Sequence, residues 1–190
     1  MTCIVGWAER NTVWIGADSA GTDWGLGQKI RADEKVFINE EFIFGVSGSY
    51  RLLNLLRYQF HPPEQNEKQE NGEYMRVNFI NSITNFLEKN KYAKIVNNEI
   101  QMDSQFLVGY RGKLYKIEND FQVGEHALCY NACGCGDDLA LGALYVLQDK
   151  KTMKPDKKLL WALNAAAEFS AGVKGPFHIL WLEYMPGGVK

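Results

Sequence analysis

Residues 1–18, MTCIVGWAERNTVWIGAD, alternate with a period of two. Cys3, Val5 and Trp7 fall on one side, with Thr2, Ile4 and Gly6 on the other. Val13, Ile15 and Ala17 then alternate with Trp14 and Gly16, and Asp18 closes the run. A period of two is the period of a β-strand, and the polar Glu9-Arg10-Asn11 between the halves reads as a turn. The pattern predicts a hairpin whose first strand starts beside residue 2. Terminal residues fray unless something holds them, so a strand there implies that residue 2 has a fixed place in the fold.

The next segments add to this frame. AGTDWGLGQKIRAD is rich in glycine and polar residues and is expected to cross the surface as a loop. EKVFINEEFIFGVSG predicts a second hairpin turning at Asn39-Glu40-Glu41. From Tyr50 the spacing becomes helical through Leu52, Leu53, Leu55, Leu56 and Phe60, and His61-Pro62-Pro63 ends that helix. The polar PPEQNEKQENGE is expected to be a mobile loop. A second helix follows over Tyr74–Lys91, with Val77, Ile80, Ile83, Phe86 and Leu87 on one face. SQFLVGYRGKLYKIENDF predicts a hairpin turning at Arg111-Gly112. Helices over Asp137–Leu147 and Asp156–Ser170 and a buried last strand in PFHILWLEY complete the chain.

This order predicts an α+β fold: two antiparallel sheets packed face to face with helix pairs outside, a four-layer α/β/β/α sandwich. Helices do not follow every strand, which disfavours a doubly wound parallel sheet. At 190 residues the chain is expected to be a single domain over residues 1–190. A net charge of −2, without a basic block, argues against a nucleic-acid partner. No apolar run approaches the ~20 residues that span a membrane. Glu9, Arg10 and Asn11 interrupt the opening apolar run, so a secretory leader is not expected and a cytoplasmic location is the default. Of the four cysteines, Cys129, Cys133 and Cys135 cluster in CYNACGC and Cys3 lies apart. They lack the spacing of a zinc site, and His126 adds no ligand pattern, so reduced, partly buried thiols are expected, with neither metal nor cofactor.

Thr2 carries the chemical argument. Threonine is small enough for Met1 to be removed, which would leave a hydroxyl and a free α-amine on one residue. A hydroxyl needs a base within hydrogen-bond reach, and an amine that is not protonated can supply it. The stretches TCIVGWAERNTVWIGADSAGT, EKVFINEEFIFGVSGS, CGCGDDLALGAL and AAEFSAG occur in that order. In them the chain resembles the proteasome β-subunit and the bacterial HslV-type peptidase, members of the N-terminal nucleophile hydrolase superfamily. The resemblance spans most of the chain outside the polar loop after Pro62, and is most specific in residues 1–50.

The resemblance implies a nucleophile at Thr2, a buried acid at Asp18 and a tuning lysine at Lys35, with Lys29 the second candidate. It implies an oxyanion-stabilising backbone N–H at Gly48, and Thr22 where substrate lies as an added strand. Gly21, Phe37 and Val46, apolar or small themselves, are expected to line the pocket for the residue before the scissile bond and to favour an apolar side chain there. Two positions depart from the pattern. Cys135 stands where a serine is usual. Glu168, with Ala171 or Ser170, stands where an aspartate and a serine are usual. Without the resemblance, Asp18 also fits a turn cap, Lys35 a solvated strand-edge charge, and Gly48 a turn into a helix.

The resemblance implies an amide-bond hydrolase of the threonine-peptidase type, acting on peptides or unfolded protein in a homo-oligomeric ring, with any ATPase partner unspecified. The alternatives are a non-catalytic ring subunit of the same fold and a small-molecule amidase or acylase. A nucleic-acid-binding module ranks last.

Overall fold

The opening alternation folds as a hairpin of β1 (Cys3–Glu9) and β2 (Thr12–Ala17). Its turn places Arg10 at φ 57°, in the left-handed region. The computed structural model describes residues 1–22 and 27–185. After the hairpin come β3 (Ala20–Thr22), β4 (Gln28–Ile30), β5 (Val36–Asn39), β6 (Phe42–Ser47) and helix α1 (Tyr50–Tyr58). Helix α2 (Asn71–Tyr74), a π-helical stretch (Met75–Phe79) and α3 (Ile80–Lys89) run on from one another. They lead into β7 (Lys94–Val96), β8 (Glu99–Gln101), β9 (Gln105–Tyr110), β10 (Lys113–Ile117), β11 (Val123–Glu125) and β12 (Tyr130–Gly134). Helices α4 (Asp137–Leu147) and α5 (Pro155–Phe169) and strand β13 (His178–Glu183) close the described chain.

Two larger sheets result, both antiparallel. One has the order β12-β1-β2-β13 and the other β11-β10-β9-β6-β5. The fold is therefore α+β, with hairpins rather than crossover units. Three apolar clusters fill it. Ile4, Val13, Ile15, Ile43, Leu107 and Leu114 join residues of the two sheets. Phe42, Phe44, Phe79, Phe106 and Tyr110 join the five-stranded sheet to α1, α3 and the π-helical stretch. Val5, Ala132, Ala140, Ala162, Leu163 and Ala166 join the four-stranded sheet to α4 and α5. Period-two strands make this possible, because β1 sends Ile4 to one side of its sheet and Cys3, Val5 and Trp7 to the other.

Several expectations need correction. The second helix starts at Asn71, not Tyr74, and ends at Lys89. Its π-helical stretch widens one turn, so Tyr74, Met75, Phe79 and Ile80 are buried while Val77 is 47% exposed. The polar segment before it is tied down rather than left free. The Tyr74 hydroxyl donates to the Pro63 carbonyl, and Gln65 receives the Tyr110 hydroxyl and donates to the Gln69 carbonyl. The expected surface loop contains the paired β3 and β4, while its residues 23–26 lie outside the described residues. The last strand is an edge strand with Trp181 exposed, not a buried one. The β7–β8 hairpin, β11 and β12 had no clear sequence signal. β12 alone matters for the site, since it pairs with β1 from Cys3↔Gly134 to Trp7↔Tyr130.

Candidate active site

Antiparallel pairing sets the beginning of one strand beside the end of the next. Thr2 precedes β1, Asp18 follows β2, and Cys135 follows β12, so all three gather at one end of the four-stranded sheet. Lys35 precedes β5 and Gly48 follows β6, at the corresponding end of the five-stranded sheet. The two ends meet around Thr2.

At the centre Lys35 Nζ donates to Thr2 Oγ at 3.0 Å, to Asp18 Oδ1 at 2.7 Å and to the Ala20 carbonyl at 2.7 Å. An ammonium has three N–H donors, so its capacity is used in full. Asp18 is equally saturated. Oδ1 also accepts from Cys3 N at 3.0 Å, while Oδ2 accepts from Ala20 N at 2.9 Å and Lys174 N at 3.3 Å. Both residues are buried, with side-chain exposures of 3% for Lys35 and 0% for Asp18. Burial pulls the Lys35 ammonium below its ordinary value, and the Asp18 carboxylate opposes that shift. The Lys35 ammonium is thus in direct contact with the Thr2 hydroxyl, where it can stabilise negative charge developing on that oxygen.

Thr2 is held from every side. Its hydroxyl donates to the Met1 carbonyl at 2.6 Å, and its N–H donates to Cys135 Sγ at 3.2 Å. The Cys135 thiol returns a bond to the Thr2 carbonyl at 3.4 Å and lies 3.9 Å from Ser170 Oγ. The Met1 amine donates to Thr22 Oγ1 at 2.8 Å. Gly134 makes this approach possible. It sits at φ +102°, and a Cβ there would come within 2.3 Å of the Thr2 carbonyl oxygen. Gly48, at φ +109°, lies between β6 and Ser49, which caps α1 through a bond from Arg51 N. Thr2, Lys35, Val46, Gly48, Ser49, Tyr50 and Leu53 enclose a small recess.

The structure thus brings Thr2, Asp18, Lys35, Gly48, Cys135, Thr22 and Val46 to one place. Gly21 is adjacent on β3, with the Arg31 side chain lying across it. Two expected residues fall elsewhere. Glu168 is exposed near the end of α5 and bonds to no described residue, because the helix turns that position outward while Ser170 beyond it turns in. Phe37 is buried in the aromatic cluster, stacked on Phe44 and beneath the Arg57 guanidinium, and does not line the recess. The lysine that reaches Thr2 is Lys35, and Lys29 is exposed on β4. Sequence reading missed Tyr50 and Leu53. Their signal was position: the first turn of the helix that follows the glycine at the end of β6. All four cysteines are free; Cys3 and Cys133 are buried, Cys129 and Cys135 exposed. Among the described residues no group of three or more His, Cys, Asp or Glu side chains could hold a metal ion, and no helix is long and apolar enough to cross a membrane.

Solved structures share this architecture from end to end. BPH from Thiobacillus denitrificans aligns over 97% of this chain and 100% of its own, with a TM-score of 0.78 and 20% identity. The fold is proteasome-like. The same BPH in complex with epoxomicin aligns equally well. Eukaryotic HslV from Trypanosoma brucei aligns over 96% of this chain and 100% of its own, with a TM-score of 0.70 and 19% identity. No family model matches the sequence, and no curated protein does so. The proteasome-like fold is therefore shared with structures at 19% and 20% identity.

Proposed function

We propose that the protein is an amide-bond hydrolase of the threonine-peptidase type, with Thr2 as nucleophile once Met1 is removed. The observation that carries this reading is the buried contact of Lys35 Nζ with both Thr2 Oγ and Asp18 Oδ1. A lysine and an aspartate buried only for structure need no hydroxyl contact at a recess, and here Thr2 and Lys35 both line one.

In this mechanism Thr2 Oγ attacks a peptide carbonyl and its proton passes to the α-amine, directly or through a water. Lys35 stabilises the developing alkoxide, and Asp18 holds Lys35 in place. The Gly48 N–H stabilises the tetrahedral oxyanion. The C–N bond breaks, the amine leaves with the proton, and an ester on Thr2 remains for water to hydrolyse. Thr22 and Gly21 on β3 offer main-chain groups to an extended substrate.

The same reading takes residues 1–190 as one domain in a four-layer α/β/β/α sandwich, supported by the three apolar clusters. It takes the protein as a cytoplasmic homo-oligomeric ring acting on peptides or unfolded protein, with or without an ATPase partner. One observation favours the alternative of a non-catalytic ring subunit: the carboxylate of Glu168 stands outside the cluster around Thr2 N. Intact mass of the untagged protein before and after incubation with epoxomicin decides between the two. The hydrolase loses Met1 and gains an adduct that Thr2→Ala abolishes. Retention of Met1 with no adduct establishes the non-catalytic subunit.

A further inference from the structure

The recess beside Thr2 speaks to substrate class, an inference that rests on the threonine-peptidase reading. We infer that it selects a small residue (glycine, alanine or serine) on the acyl side of the scissile bond, and that Tyr50 sets this limit. The residue whose carbonyl is attacked must place its side chain next to Thr2 Oγ, and the recess is what lies there.

Its free space is about 10 Å³. That is room for about one water-sized group, so a methyl or a hydroxymethyl fits and a leucine or phenylalanine side chain does not. The walls are fixed. Val46 and Leu53 belong to the aromatic cluster and are 3% and 2% exposed. Lys35 has no donor left to swing away with. Gly48 is backed by Ser104, whose Oγ would be 2.4 Å from a Cβ at that position.

Tyr50 also lines the recess, with Arg31 against its ring. The Arg31 guanidinium lies 3.8 Å from its ring centroid. Two charge-assisted bonds to Asp33, at 2.7 and 2.6 Å, reach that guanidinium, and the Arg31 stem packs across Gly21. The Tyr50 hydroxyl is buried and has no hydrogen-bond partner. Burial pushes the phenol up to about 12, so it is a donor at neutral pH. This departs from the expectation of an apolar pocket built on Gly21, Phe37 and Val46, because Phe37 is committed to the core and Tyr50 takes its place.

The test uses the full-length untagged protein and fluorogenic peptides that differ only in the residue before the scissile bond: Gly, Ala, Ser, Leu or Phe. Wild type is expected to favour Ala and Ser over Leu and Phe by about 10-fold or more in kcat/KM. Tyr50→Ala is expected to reverse that order. Tyr50→Phe, which keeps the ring, is expected to keep the wild-type order. A wild-type preference for Leu or Phe overturns the inference and leaves the peptidase reading standing, as does a Tyr50→Ala variant that keeps the wild-type order. Absence of any hydrolysis or epoxomicin adduct that depends on Thr2 overturns the peptidase reading, and the inference with it.

Discussion

The two helix-to-sheet interfaces of this protein are built from different material. Under α1, α3 and the π-helical stretch the core is aromatic: Phe42 stacks on Tyr110 at 4.3 Å and on Phe79 at 5.2 Å. Under α4 and α5 it is mostly aliphatic, and small residues recur in it, with Ala132, Ala140, Ala162 and Ala166 all buried beside Leu144, Leu159 and Leu163. Large rings bury much apolar area per residue and hold elements apart. Small side chains let backbones approach. The second interface needs that approach, because β1, the end of β12 and residues 170–174 must converge on Thr2. At Gly136 a Cβ would meet Cys3 Cβ at 3.0 Å and Ala166 Cβ at 3.2 Å. The contrast teaches that the two halves serve the site differently: the small-residue half lets backbones close on Thr2, and the aromatic half supplies Lys35, Gly48 and the Val46 and Leu53 walls.

Substitutions can break or sharpen that division. The largest effect on turnover is expected from Thr2→Ala, a loss of more than about 10³-fold with little change in melting temperature. An unchanged rate in a peptidase assay would remove Thr2 from the chemistry. Lys35→Ala leaves the Asp18 carboxylate buried without its cation, and should cost about 3–5 kcal/mol in denaturant unfolding as well as activity. Phe79→Ala should cost a similar ~3–5 kcal/mol through the cavity it opens. Unlike Lys35→Ala, it should spare the specific activity of the folded fraction, measured well below the melting point.

Gly134→Ala tests the small-residue half. Its positive φ and the 2.3 Å approach to the Thr2 carbonyl predict at least ~2 kcal/mol of destabilisation, with activity falling further than stability. An activity that tracks the folded fraction alone would merge the two halves again. The smallest effect is expected at Cys135. Serine keeps a donor and acceptor beside Thr2 N, whereas alanine removes the bond and should lower kcat by about fivefold.

Lys35 also predicts a pH dependence. Its folded value lies below the ordinary 10.5, so between those two values the unfolded chain binds more protons than the folded one. The contribution of this group to stability therefore rises with pH through that window and is lost as pH falls through the folded value. Unfolding free energies measured across the alkaline range for wild type and Lys35→Met should differ in slope, and parallel curves would deny the shift.

Much of the fold was legible because local chemistry wrote it. The β1–β2, β5–β6 and β9–β10 hairpins appear where alternation and turn residues predicted them, with Arg10, Glu40 and Arg111 at positive φ in the turns. α4 spans Asp137–Leu147 as read. The π-helical stretch was not legible. Its widened turn follows from fitting Tyr74, Met75, Phe79 and Ile80 into one aromatic core, and periodicity cannot anticipate that. β12 was hidden for a related reason: YNACG has little alternation of its own and becomes a strand by pairing with β1.

The site divides in the same way. Sequence by itself marked the strand ends and offered Thr2 a chemical argument; the family resemblance then named Asp18, Lys35 and Gly48 as its companions. Hairpin pairing then had to bring Thr2 and Asp18 together, since both lie at the same end of one antiparallel pair. Only the tertiary structure decided the rest: that Lys35 crosses from the other sheet to Thr2, that Glu168 turns outward, that Phe37 is spent in the core, and that Tyr50 lines the recess. Those outcomes depend on how two sheets and their helices stack, and residue order along one strand carries no record of the neighbour that packing will supply.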